Sequence, residues 1–228
     1  MFFRKDYAAP GPGVNPDDPE KTGVARFAEI LSLECVTLVK LNLLFLGSCV
    51  PVVTIPAAVF AMNHVVRMMI LDQPVICGYH YKTAFRRYWK RGTAAFLITA
   101  VPLVLSLCGM GFYLSRAGEN LLMFLPFMLC STVFLLTLLA SAYFYGLLDT
   151  ERSVRECARL ALVLGIAKPL RAALAALAVY GSLAAAVLEF PLSGIYLIFV
   201  GFSLPCLVGG FFVRTVLERF CGEEGGTR

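Results

Sequence analysis

Five polar side chains in apolar surroundings are where this chain could do chemistry: Lys40, Asn42, Asn63, His64 and Glu189. An ionisable or amide group in hydrocarbon is costly unless it is paired, so such groups mark binding sites, ion paths or hydrogen bonds between helices. No nucleophile with a matched base, no His-Glu-x-x-His and no glycine-rich phosphate loop accompanies them. The eight cysteines never pair as Cys-x-x-Cys, and with only two histidines the chain offers no metal-ligand spacing. The residues therefore predict no catalytic site, no metal and no cofactor, and the thiols read as small apolar groups.

The elements that must hold these groups follow from composition. Apolar residues make up 59% of the 228, charged residues only 15%, and the mean hydropathy is +0.77. Soluble domains carry about 25% charged residues. The excess of apolar surface predicts an integral membrane protein and argues against a soluble enzyme, a nucleic-acid reader or a disordered chain. The net charge of +5 matters less than its placement, because the charges cluster between charge-free windows at 41–66, 92–115, 120–148, 172–188 and 190–213. The last four windows each predict one membrane-crossing helix.

Pro51 and Pro56 divide the first window, which is either one kinked helix or a hairpin with arms at roughly 27–50 and 56–71. The positive-inside rule chooses between them. With six spans, eighteen of the twenty Lys and Arg fall on the cytoplasmic side, leaving Arg116 outside and Lys40 in the membrane; five spans split them 14 against 6. The expectation is an all-α polytopic bundle of about six spans, as three helical hairpins, in the cytoplasmic (inner) membrane with both termini cytoplasmic. The external turns near 50–55, 115–119 and 189–192 are short. On this plan 40–42 and 63–64 stand on facing arms and could share a polar pocket, Lys40 could snorkel, and Glu189, beside Pro191, sits at an outer turn.

Residues 27–219 form the predicted transmembrane domain, between a polar, proline-rich tail (1–26) and a short polar one (220–228). No signal-peptide pattern is present, and Cys221 lies too far upstream for prenylation.

Two basic segments read as cytoplasmic interfacial helices. Tyr81, Phe85, Tyr88 and Trp89 share one helical face, while Lys82, Arg86, Arg87, Lys90 and Arg91 occupy the rest. Such a stripe sinks to headgroup level while its cations meet anionic lipid or a cytoplasmic partner. The second segment, 150–169, opens with the capping-box pattern Ser153-x-x-Glu156 and is interrupted by Gly165 and Pro169. Leu160, Ala161, Leu164 and Ala167 face the membrane or bundle, and Arg152, Arg155 and Arg159 line the wet side.

The runs LVKLNLLFLGSCVPVVTIPAAVFAMNHVVRMMI (38–70), YKTAFRRYWKRG (81–92) and LLTLLASAYFYGLLDTERSVRECARLALVLGIAKPLRAALAAL (135–177) resemble the YesL-type family of bacterial membrane proteins over most of 27–219. The resemblance implies a small polytopic protein of unassigned biochemical role, often encoded near carbohydrate uptake and sensing genes. It matches Asn42 to the polar residue of the first span, Pro56 to the break between the arms, and Phe85 and Trp89 to the aromatic stripe. The proline-rich tail and Lys40 depart from the family pattern.

Two function classes are carried forward. An accessory subunit of a sugar importer or its sensor would dock through the basic helices; a transporter or channel would need a polar path through the bundle. The glutamate-alanine-alanine pattern of importer permeases is not met, since Glu156-Cys157-Ala158 is followed by Gly165 at the wrong spacing.

Overall fold

In the computed structural model, which describes residues 23–71, 73–116, 121–148, 152–189 and 191–225 with side chains as far as 214, the two prolines make a hairpin. Helix α1 (Val24–Cys49) stops short of Pro51, which has no N–H to continue the ladder. Helix α2 (Ile55–Ile70) begins with Pro56 in its first turn, where that N–H is not needed. The Thr54 hydroxyl closes the turn by donating to the carbonyls of Pro51, at 2.5 Å, and Ser48. The 41–66 window is therefore not a single kinked span.

Further along run α3 (Cys77–Arg87), α4 (Trp89–Arg116), α5 (Phe124–Leu147), α6 (Val154–Ala167), α7 (Pro169–Leu188), α8 (Gly194–Phe199) and α9 (Ser203–Gly225). No strand occurs among the described residues. Five segments are long and apolar enough to cross a bilayer: α1, α2 with its turn, α4, α5 with the turn before it, and α7. Outward-facing leucines such as Leu105, Leu125 and Leu129, each about two-thirds exposed, suit lipid and not water. The protein is a multi-pass helical membrane bundle. The stretch expected to form the sixth span is divided into α8 and α9, interrupted at 200–202, and neither piece is among those five.

The core gathers Leu38, Leu41, Phe60, Val65, Ile70, Tyr143, Phe144 and Leu207. Small residues let the backbones approach, as expected where lipid supplies no hydrophobic drive between helices. A Cβ on Gly92 would stand 3.3 Å from the Pro56 carbonyl oxygen, and one on Gly165 equally close to the Ala140 nitrogen.

The two basic helices pack their inner faces against the bundle. Tyr88 packs on Phe60 with ring centroids 5.1 Å apart, and Gly92 abuts Pro56, so α3 and the start of α4 return antiparallel along α2 to the 50–54 turn. Likewise α6 folds back along α5, with Cys157 beside the Leu147 carbonyl and Gly165 against Leu139 and Ala140. The cause lies in their inner faces: Tyr81 and Ala84 on α3, and Cys157, Ala161, Leu164 and Gly165 on α6, are buried against the bundle.

This packing corrects the one-sided assignment of cations. Phe27 and Phe211 meet at 5.4 Å, gathering the first and last long helices at one end, whereas the basic end of α3 joins the 50–54 turn. With α1 running about 39 Å between them at 1.5 Å per residue, the Phe27–Phe211 contact and the first basic cluster lie at opposite ends of the bundle. Helix α1 starts at Val24 and α9 is helical to Gly225, while 1–22 and 226–228 lie outside the described residues.

Candidate functional site

Asn42 sits fully buried on α1 and faces the gap between α8 and α9. Its side-chain nitrogen donates to the carbonyls of Leu197 (2.8 Å) and Ile198 (2.7 Å), and its oxygen accepts from the backbone N–H groups of Phe202 (2.9 Å) and Ser203 (3.1 Å). A carboxamide has two donors and two acceptor lone pairs, so its capacity is filled. It does for α8 and α9 what a missing helical turn would have done, satisfying two terminal carbonyls and two terminal N–H groups. Gly201 permits the break, because a Cβ there would stand 2.5 Å from the Leu197 Cα.

The pocket expected between 40–42 and 63–64 is therefore not what Asn42 builds: its whole amide is spent on 197–203. Asn63 also turns to the last segment, accepting from the Cys206 thiol at 3.3 Å while its nitrogen donates to the Val59 carbonyl at 2.9 Å. Lys40 is exposed on the outer face of α1, His64 is half-buried on α2, and Glu189 is exposed at the end of α7.

A cavity of about 340 Å³ opens between α2, α5, α7 and α9. Ile55, Val59, Met62, Val66 and Ile70 line it at one-turn intervals, so it follows the whole of α2. Among the described residues, Arg67 is the one charged residue in its lining. Room comes from Gly209 and Gly210 on α9 and from a π turn at Leu177–Gly181, which widens α7 beside Val179 and Tyr180. The hydroxyls on its wall are bonded within the chain, Tyr145 with Thr99 at 2.9 Å and Tyr180 with Ser141 at 3.0 Å.

The second feature is the basic end. The Arg91 guanidinium donates to the Arg152 carbonyl, which joins the start of α4 to the approach to α6. Arg86, Arg87 and Lys90 are exposed on one side of this joint and Arg155 and Arg159 on the other, so two clusters far apart in sequence form one cationic rim. Beneath it, Tyr81 meets the Ser48 hydroxyl at 2.5 Å and stacks on Phe85, which packs edge-on to Trp89. Burial pushes the Tyr81 hydroxyl up to about 12, against the opposing pull of the Ser48 hydrogen bond, so it stays protonated.

The capping box of α6 is complete: Glu156 N donates to Ser153 Oγ at 3.3 Å and Ser153 N to the Glu156 carboxylate at 3.0 Å. The backbone hydrogen bond from Ser153 holds the Glu156 carboxyl below the usual carboxylate range.

The shared helical face of Tyr81, Phe85, Tyr88 and Trp89 was legible in sequence; Tyr81 meets α1 through Ser48 and Tyr88 meets α2 through Phe60. Arg67 entered the sequence reading only among the eighteen cations counted as cytoplasmic. The partners of Asn42 left no sequence signal, being backbone groups.

The family described as "Protein of unknown function, DUF624" matches residues 38–110, from the middle of α1 through most of α4. This stretch holds Asn42, Asn63, Arg67 and the first basic cluster, and leaves out α5 to α9. No curated protein and no solved structure matches the chain.

Proposed function

We propose that the chain is an accessory subunit of a membrane complex in the cytoplasmic membrane of a bacterium, docking its partner through the joined basic rim. The observation that carries this reading is the Arg91 bond to the Arg152 carbonyl, which merges two cationic segments into one surface. Fixed cations on a rigid base favour fast, salt-sensitive capture of an acidic partner, and each adds about 1 kcal/mol toward anionic headgroups when it is near them. On this reading the rim faces the cytoplasm. The resemblance to YesL-type proteins supplies the partner class, a sugar transporter or sensor subunit.

Affinity purification in mild detergent, with neighbouring transporter genes co-expressed, tests it. Stable capture that weakens when Arg87→Glu and Arg155→Glu are combined, and that falls steeply with salt, is the expected result. Capture indifferent to the charge reversals would sink the proposal. Transport of a small solute is the second reading, favoured by the cavity along α2. It is the weaker one because the polar groups Asn63, Tyr145 and Tyr180 on that wall are engaged within the chain. Uptake by the purified protein in liposomes would reverse the order.

A further inference from the structure

Asn63 is engaged within the chain but not filled. A carboxamide offers two N–H donors and two acceptor lone pairs. One N–H goes to the Val59 carbonyl and one lone pair takes the Cys206 thiol, which leaves one donor and one acceptor. Val59 and Cys206 line the cavity together with Asn63, so the unspent pair stands at its wall. Asn63 lies eight residues after Ile55 and seven before Ile70, about 12 Å and 10 Å along α2 at 1.5 Å per residue. This polar handle is therefore near the middle of the cavity's length, with Ile55 and Val59 on one side of it and Val66 and Ile70 on the other.

The rest of the wall asks little of a ligand's polarity. Tyr145 is paired with Thr99, and Tyr180 donates to Ser141. Arg67 already has an interaction within the chain, so the cavity does not call for a counter-charge. The volume of about 340 Å³ falls within the range of small-molecule sites, about 300–1,000 Å³, which are mostly apolar with a few placed polar groups. An ion would lose its hydration to this lining at high cost. A small polar solute would leave the isoleucines at the two ends uncovered, and a pure hydrocarbon would leave the remaining donor and acceptor of Asn63 unmet.

We infer that the cavity binds an uncharged, mainly hydrocarbon molecule whose hydrogen-bonding group, a carbonyl or hydroxyl, lies within the chain and pairs with Asn63. Apolar contact along α2 holds the body of the ligand, and the amide fixes its register. Docking at the rim uses none of these residues.

The test uses the full chain in nanodiscs, with empty nanodiscs as the baseline for partition into lipid, and a radiolabelled long-chain ketone with its carbonyl at mid-chain as probe. Saturable binding above the baseline is expected. The alkane of equal length, and the isomer with its carbonyl at the chain end, should compete about two- to tenfold less well, the worth of one net hydrogen bond. The fatty acid of equal length should compete more weakly than the ketone. Asn63→Leu, which keeps an apolar side chain of similar size, should bind the alkane as before and bring the ketone down to its level. Val59→Trp, which fills the cavity from its wall, should abolish saturable binding of both. Should Asn63→Leu fail to fold, the comparison of ketone with alkane on the unmodified protein still decides. Binding no greater than the baseline, equal competition by ketone and alkane or by the two isomers, an acid that outcompetes the ketone, a folded Asn63→Leu that keeps the preference, or a folded Val59→Trp that binds normally overturns the inference. None of these results touches the rim, so the docking proposal stands or falls separately.

Discussion

Asn42 donates to the Ile198 carbonyl at 2.7 Å across 156 positions of sequence. Through that bond and its three companions, one amide on an unbroken helix holds together the two halves of a broken one.

Asn42→Leu should be the most damaging single change among the intramembrane polar residues. It leaves the carbonyls of Leu197 and Ile198 and the N–H groups of Phe202 and Ser203 without their side-chain partner. Each unsatisfied buried group costs about 1–3 kcal/mol, so a loss of about 3 kcal/mol or more is expected. Thermal unfolding in detergent measures it, and a variant with unaltered stability would show that the break has other support.

Because the Asn42 amide is filled by 197–203, Asn42→Leu and His64→Leu should act independently. A double-mutant cycle should be additive within about 0.5 kcal/mol. A larger coupling of either sign would mean the two positions share a partner after all.

This pair shows what sequence could and could not specify. Asn42 stood out because an amide in an apolar window is expensive, and the prolines at 51 and 56 located the hairpin. The face opposite Asn42 was invisible because its partners are backbone groups exposed only where α8 stops and α9 starts, although Pro205 in the first turn of α9 marks that restart as Pro56 marks α2. For α3 the amphipathic spacing was legible and its packing was not: an aromatic stripe has the same period whether it meets lipid or Phe60. Counting cations by loop inherited that blind spot, since it took α3 and α6 to stay at the end where they begin. Arg67 stayed hidden because a charge near a helix end reads as solvated until α9 is seen to pack beside it.

The capping box gives α6 a pH dependence. Glu156 has its folded carboxyl lowered, first by the Ser153 backbone bond, so its contribution is fully present above the unfolded value and is lost as pH falls through the folded one. The first turn of α6 should therefore fray in acid, below the ordinary carboxylate range, and stay protected at neutral pH. Hydrogen exchange at Glu156 and Cys157 reads this, with Glu156→Gln retaining the cap and flattening the profile. A profile unchanged by that substitution would remove Glu156 as the cause.

The docking reading fixes an orientation. Val52, which is 76% exposed in the 50–54 turn, lies at the same end as the basic rim. Val52→Cys, in a background with exposed Cys35 and Cys108 changed to Ser, should be labelled by an impermeant maleimide in inside-out vesicles and not in right-side-out ones. The reverse pattern would put the rim outside the cytoplasm and end the proposal that it meets a cytoplasmic partner.

The contact between Tyr81 and Ser48 separates a docked α3 from one floating at headgroup level. Only if α3 returns to the 50–54 turn can the two hydroxyls meet, and at 2.5 Å each is the other's partner. Tyr81→Phe removes the bond while keeping the ring that stacks on Phe85, so it should cost about 1 kcal/mol, and Ser48→Ala a similar amount. Since both changes delete one interaction, the double variant should cost clearly less than their sum, with a coupling of about 0.5–1 kcal/mol. Ser48 keeps a second acceptor in the Phe45 carbonyl at 2.9 Å, so its hydroxyl survives the loss of Tyr81 without being stranded, and the measured coupling reports the bond itself. Additive losses would mean that α3 leaves the turn, and the basic rim would lose the base that holds its two halves together.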